Sequence, residues 1–476
     1  MREGNRKYTL ICLAFLVMLA RPGEIFGAWP DDPEVNVPIC TAGGTQEHPR
    51  IVTDGESGAI IVWQDIAASS SDIYAQRVDA RGVVRWVTDG VAICLEKGNQ
   101  WFPNLVYDDS GGAIMAWWDE RNGPTDIYAQ RINGDGVVQW QPGGIPVCGA
   151  PKAQLEFNII ADGAGGAIIA WHDYRDESGT PYIYAQRINA AGNILWERDG
   201  VNVSGKTFYQ KYPTLASDGA GGAIIAWQGW RDGKGNIYGQ RIGADGQLMW
   251  QKYGLPICKM PERQWHPAVV ADGAGGAIIV WMDHRNDVED EIISRSEDQS
   301  SAGWDIYAQR VNAQGEPQWQ ENGVPICLAQ GDQYDYSVMS NGTDGMLITW
   351  HDQRDGNWDI YAQKLDASGN AEWAKDGLPV CVESGDQFNP NMTVDGAGGI
   401  IITWWDKREF YADIYAQRID PDGNFLWTEK GAAICLAPAT QQDSYPVNSG
   451  VGNAIIVWWD KRKADPDIYA QRVVSE

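Results

Sequence analysis

A six-residue phrase, Asp-Ile-Tyr-Ala-Gln-Arg or a close variant, occurs eight times, and its regularity constrains the fold more than any other feature of the chain. Its tyrosines are Tyr74, Tyr128, Tyr184, Tyr238, Tyr307, Tyr361, Tyr415 and Tyr469, spaced by 54, 56, 54, 69, 54, 54 and 54 residues. A fixed period of this size marks supersecondary units that bury their faces on one another. Residues 154–209 represent one period. Phe157 to Ala161 is a short extended run, closed by Asp-Gly-Ala-Gly-Gly at 162–166. Ala167 to Trp171 is apolar throughout, as a strand covered on both faces must be. Tyr182 to Ile188 alternates, a Gly-bearing turn follows, and Ile194 to Val203 gives a fourth strand broken near Asp199-Gly200. No segment carries a helical period. Four antiparallel strands in one repeat is the make-up of a propeller blade.

The two ends of the chain select a closed ring. The last repeat stops at Val473-Val474-Ser475-Glu476, after its third strand. The missing fourth strand stands at the other end, as Val37-Pro38-Ile39-Cys40 before the first full repeat. Completing the last blade with it removes exposed sheet edges. The predicted fold is therefore all-β: an eight-bladed β-propeller of four-stranded antiparallel blades over 29–476. The blades start near 46, 100, 154, 210, 264, 333, 387 and 441, and an N-terminal strand completes the last one.

Residues 1–28 have a different character. Arg2, Arg6 and Lys7 precede an apolar run from Tyr8 to Ala20, and Gly27-Ala28 follow. This is the order of a secretory signal peptide cleaved near Gly27-Ala28. The expectation is a secreted or periplasmic protein with no membrane insertion. The net charge of −27 argues against nucleic acid and anionic membranes as partners, since both call for basic surfaces. Cys40, Cys94, Cys148, Cys258, Cys327, Cys381 and Cys435 share one repeat column, in which Ser204 takes the eighth place. Equivalent positions of neighbouring repeats lie too far apart to bridge, so seven unpaired buried thiols are expected.

Two segments resemble known propeller families. His-Asp-Gln-Arg at 351–354 with Asp-Gly-Asn-Trp-Asp-Ile-Tyr at 355–361 resembles the hairpin of TolB-type repeats. Arg-Ile-Asn-Ala-Ala-Gly-Asn-Ile-Leu-Trp at 187–196 is similar to the tryptophan-docking motif of eight-bladed quinoprotein-like propellers, a group that includes the outer-membrane assembly lipoprotein BamB. Both resemblances imply blades and leave chemistry open. The quinoprotein enzymes carry a vicinal cysteine pair, and this chain has no Cys-Cys.

Residues that repeat are expected to hold blades. Trp63, Trp117, Trp171, Trp227, Trp281, Trp350, Trp404 and Trp458 end the second strands. Trp86, Trp140, Trp196, Trp250, Trp319, Trp373 and Trp427 sit in the fourth, with Trp29 as the eighth of that series. Asp119 with Arg121, and their counterparts along the chain, read as ion pairs bracing each hairpin. A glutamine opens every repeat, from Gln46 to Gln441, and reads as a backbone ligand between blades.

Residues that depart from the repeat are the candidate site. In such a meander, the turn after strand two and the crossover into strand one emerge at one end, the top face. Trp101, Trp118, Trp230, Trp265, Trp304, Trp358, Trp405 and Trp459 follow no column of the repeat and all fall in top-face segments. His48 and His266, which share Gln-x-His-Pro, fall there as well. Aromatic side chains on variable loops suit sugar rings and peptides. The insertion at 286–303 extends one top-face turn and could serve as a lid or as a plain loop. No catalytic residue, metal site or cofactor is indicated: there is no nucleophile–base pattern and no zinc spacing, and the calcium-like Asp420 to Asn424 occupies an ordinary turn. The reading is a monomeric binding or scaffold protein that recognises a glycan or protein through the top face. One alternative is a carbohydrate-active enzyme using top-face carboxylates, recognisable by non-repeating carboxylates converging in a pocket. Another is a purely structural assembly module.

Overall fold

The computed structural model describes residues 29–67, 70–231, 233–286, 303–342 and 344–474. The leader-like segment 1–28 and the core of the insertion lie outside the described residues. Thirty-two strands form eight four-stranded antiparallel sheets among the described residues. In blade 3 the strands are Gln154–Ala161, Ala167–Asp173, Tyr182–Ile188 and Val201–Asn202, running from the ring axis outwards. The eight inner strands pack side by side around the ring, and Gln441–Asn448 of the last blade lies against Thr45–Thr53 of the first. Closure takes the expected form. Val37–Cys40 pairs antiparallel with Asp467–Val473, matching Val37 with Ala470 and Pro38 with Tyr469. Trp29 occupies the eighth docking position, its indole donating to the Ala80 carbonyl at 3.1 Å.

Each residue of the repeated phrase has a structural duty. The second-strand tryptophans are fully buried. Trp171 stacks on Tyr184 with ring centroids 6.4 Å apart, and the Arg175 guanidinium lies 3.8 Å above the other side of that tyrosine. The phrase glutamine Gln186 donates to the Glu197 carbonyl and accepts from the Trp196 backbone, locking the third strand to the fourth. The phrase arginine Arg187 pairs with Asp162 of the lower turn at 2.9 Å and reaches the Ala244 carbonyl of the next blade. Trp196 donates to that same carbonyl at 3.0 Å.

The Asp–Arg columns form clasps between blades. In six blades the arginine meets its aspartate at 2.6 Å, and in all six the aspartate is buried. The same carboxylate accepts the tryptophan indole, as Asp352 does from Trp350 at 2.8 Å. The arginine also donates to the cysteine of the preceding blade, as Arg354 does to Cys327 at 3.2 Å. Cysteines are thus ligands of a salt bridge. All seven are free and buried. Burial pushes the thiol of Cys94 up to about 12 and that of Cys258 up to about 11, far from a reactive thiolate at neutral pH. One clasp loses its cysteine and its aspartate but keeps its arginine, Arg231, which lies 4.9 Å from the Phe208 ring centroid. Between blades 3 and 4, Ser204 replaces the cysteine and Gly229 replaces the aspartate. Phe208 fills the space: a Cβ on Gly229 would lie 2.5 Å from its ring.

Candidate functional site

The site grows from a defect built into every inner strand. Strand pairing breaks at one place in each blade. In blade 1, Glu47 pairs with Gln64 and Arg50 with Val62, so two residues, His48 and Pro49, oppose the single buried Trp63. This is a β-bulge, which bends a strand and re-aims a side chain. It recurs in all eight blades. The first bulge residue has a left-handed backbone every time: His48 (φ 53°), Phe102 (50°), Glu156 (49°), Tyr212 (55°), His266 (49°), Asp335 (44°), Asn389 (49°) and Asp443 (55°). None is glycine, although glycine adopts this conformation without steric cost. Proline follows in five of the eight, which the broken ladder permits. Strained non-glycine backbone persists where the side chain is wanted.

The bulges sit just inside the top face. The backbone amide of seven of the opening glutamines binds a carbonyl from the second-to-third-strand turn of the previous blade, as Gln210 does to Pro181 and Gln333 to Trp304. Crossovers and those turns therefore share one end, as the meander requires. None of the eight bulge residues is buried.

Four consecutive bulges, in blades 3 to 6, surround a cavity of about 240 Å³. Glu156, Tyr212, His266 and Asp335 line it, with Met282 and Tyr336 in the wall. Two non-repeating carboxylates thus face one space. Glu156 is open to water within the mouth, yet the surrounding walls crowd it enough to raise its pKa; the charge of Lys211 opposes that rise. Desolvation by the cavity walls lowers the pKa of His266, against the pull of Asp335, which favours the neutral imidazole. The hydroxyl of the half-buried Tyr336, its pKa raised by desolvation, donates to the His266 carbonyl and ties the bulges of blades 5 and 6 together. His351 lies beneath, its Nε2 3.9 Å from the Asp335 carboxylate, and burial brings its pKa down to about 4.

A second cavity of about 260 Å³ opens beside the first between blades 4 and 5, and Tyr212 lines both. Its walls include Tyr209, Lys211, Trp230, Arg263, Trp265 and Trp304. Burial would pull Lys211 down, but hydrogen bonding to the Tyr174 and Tyr209 hydroxyls outweighs it and holds the pKa above the lysine norm.

The sequence-predicted residues fall into groups around the mouth. Trp230, Trp265 and Trp304 are together in the second cavity; Trp265 and Trp304 are 5.6 Å apart between ring centroids. Trp265 also meets His266 edge-on at 5.1 Å, which joins the two cavities. Trp101 pairs in register with Trp118, and Phe102 links Trp118 to His48 at 4.9 and 4.6 Å. Trp358 packs on His351 at 4.6 Å and approaches Phe388, which lies 4.5 Å from Trp405. Trp459 donates to Asp443 at 3.0 Å. Trp304 is buried, and the other seven tryptophans are half-buried. His48 and His266 do not approach through their shared motif; they are equivalent bulge residues of different blades.

Sequence reasoning passed over Glu156, Tyr212 and Asp335, and with them Lys211 and Arg263. Their signal was weak: the position two after each opening glutamine changes from blade to blade, but so does the position before it. The calcium-like turn is satisfied by its own donors, since Asp420 accepts the amides of Asp422 and Asn424. Among the described residues, no group of three or more His, Cys, Asp or Glu is placed to hold a metal ion.

No protein-family model matches the chain. No curated protein matches it. Among solved structures, it is similar to an ulvan lyase of polysaccharide lyase family PL25, with a TM-score of 0.50, 12% identity, and coverage of 78% of this chain and 91% of that one. It is also similar to the polysaccharide lyase Uly1 (TM-score 0.47, 13% identity, 91% and 100% covered). A third similar structure is the alpha-L-arabinanase of Penicillium chrysogenum complexed with arabinobiose (TM-score 0.37, 13% identity, 70% and 97% covered). None of these is a TolB-type or BamB-like propeller, so those resemblances go no further than blade motifs. At such identities the likeness is one of fold alone: this chain is an eight-bladed β-propeller.

Proposed function

We propose that the protein is a carbohydrate-active enzyme that binds a polysaccharide across the top face and cleaves a glycosidic bond at the central cavity. One observation carries the reading: Glu156 and Asp335, which belong to no repeated column, face the same cavity from strained bulges. Cleavage of such bonds needs little more than a proton donor and a second carboxylate suitably placed. Glu156 suits the donor role, because its raised pKa keeps a proton available at higher pH than an ordinary glutamate would. Asp335 then serves as the partner carboxylate, with Tyr212 and the neutral His266 orienting the sugar between them. The ulvan lyase that shares this fold is in keeping with such a use of the scaffold. The leader-like order of residues 1–28 supports an exported protein acting on material outside the cytoplasm.

A panel of polysaccharides tests this by new reducing ends and by ultraviolet absorbance of unsaturated products. Glu156→Gln and Asp335→Asn are expected to lower turnover by about a hundredfold or more while leaving the fold intact. The aromatic belt continues round the mouth well beyond the cavity, from His48 to Trp459, and this favours a second reading: a glycan-binding protein without catalysis. Tight binding with no turnover in the wild type would select it.

A further inference from the structure

The two adjoining cavities differ in charge, and the difference specifies a ligand class. The central cavity presents Glu156 and Asp335, and among the described residues no lysine or arginine lines it. The neighbouring cleft presents Lys211 and Arg263, and among the described residues no carboxylate lines it. This occurs in a chain with 64 acidic and 37 basic residues, where a cleft whose described charged residues are all basic runs against the general charge. The nearby Glu262 is engaged at the rim by Lys234 at 3.2 Å. Lys211 is held in place: its ammonium lies 5.0 Å from the Tyr209 ring centroid and 5.7 Å from that of Tyr174. On the other side its charge is felt by Glu156. Trp230, Trp265 and Trp304 supply aromatic surface around the two cations.

We propose that this cleft is a subsite for an anionic sugar unit, one bearing a carboxylate or a sulfate group. Lys211 and Arg263 take the charge, and Trp265 takes the sugar face. Ammonium and guanidinium groups bind such anions through short charge-assisted hydrogen bonds. Aromatic faces cover the apolar side of a pyranose. Tyr212, common to both cavities, passes the chain from this subsite to the carboxylates. The inference rests on the glycan reading above and narrows it to acidic polysaccharides.

Titration calorimetry on the full mature chain separates the possibilities. The probes are oligosaccharides of polygalacturonate, alginate, chondroitin sulfate and carrageenan, each beside its carboxyl-reduced or desulfated form. At least one acidic probe is expected to bind better than its neutralised form, and to weaken as salt is raised. Uronate and sulfate probes tell which anion is preferred. Lys211→Met and Arg263→Gln should each weaken that probe roughly tenfold or more, with the neutralised form unaffected. Arg263 is exposed, so Arg263→Gln keeps the test valid if Lys211→Met fails to fold. Equal binding of acidic and neutralised probes would overturn the subsite while leaving a glycan site in place. Binding of no glycan at all would remove both readings.

Discussion

Two sets of positions meet at the second-strand tryptophans and behave in opposite ways. On one side lies the clasp, in which Asp352, Arg354 and Cys327 surround Trp350 and recur almost unchanged in six blades. On the other lies the bulge, where Asp335 and Tyr336 oppose that same tryptophan. The bulge backbone is as regular as the clasp, with φ between 44° and 55° in all eight blades. Its side chains are not regular: two histidines, two acids of one kind and one of the other, a phenylalanine, a tyrosine and an asparagine. Geometry is kept while chemistry is varied, which is how a rigid scaffold carries a site. The clasp ties blade to blade, and in the proposed reading the bulge ring sets what the mouth binds.

The largest expected effect comes from opening the ring. A chain lacking residues 29–40 loses the closing strand, the Trp29 dock and the buried Ile39 and Cys40. It should be destabilised by about 5 kcal/mol or more, by analogy with large core truncations. Unchanged melting would mean that the last blade is complete without them.

Next comes the clasp against the bulge directly. Asp352→Ala leaves Trp350 and Arg354 without their shared acceptor and should cost about 3–5 kcal/mol in chemical denaturation. Glu156→Gln, on the exposed bulge, should change stability by less than about 0.5 kcal/mol. Similar costs for both would erase the proposed division of labour.

That division also explains how much could be read from the chain itself. The blade count, the four strands, the closure and the free cysteines follow from residues that repeat, because each repeated side chain has one partner in every blade. Trp29 could be placed for the same reason, although it lies far from its family in sequence. The bulge could not. A left-handed non-glycine residue has no sequence signature, and Glu156 and Asp335 look like ordinary surface acids until eight strands set them on a ring. The tryptophans outside the repeat share the end of the ring on which the two cavities open. The charged pair and the basic cleft appear only when inner strands of four blades are brought together.

A third effect tests the face as a binding surface. Trp265 bridges the two cavities, so Trp265→Ala should weaken a bound oligosaccharide by about 2 kcal/mol, roughly thirtyfold. Quenching of tryptophan fluorescence can follow it. Trp101→Ala and Trp405→Ala, farther round the mouth, should lose less for a short ligand. Equal losses at all three would place the ligand over the whole ring rather than at blades 3 to 6.

The smallest effect concerns pH. Burial raises the third-strand aspartates, Asp126, Asp305 and Asp413 to about 6 and Asp359 to about 7. Their folded pKa values exceed the unfolded one near 4, so the folded state binds more protons in between. Their contribution to stability is therefore fully present below about pH 4 and lost as pH rises through 6 to 7. Asp359→Asn should stabilise the protein by about 1–2 kcal/mol at pH 8, with the gain fading towards pH 4. A gain that is independent of pH would show that the ionised form carries no penalty at this position.

The most direct test of the central claim is where a bound saccharide protects the backbone. Hydrogen exchange followed by mass spectrometry, with and without a saturating oligosaccharide, covers all eight blades at once. Protection is expected at the bulged inner strands Gln154–Ala161, Gln210–Ser217, Gln264–Ala271 and Gln333–Ser340. The lower turns, such as Asp162 to Gly166, should exchange as before. Protection centred on the lower turns or on the outer strands would contradict the account.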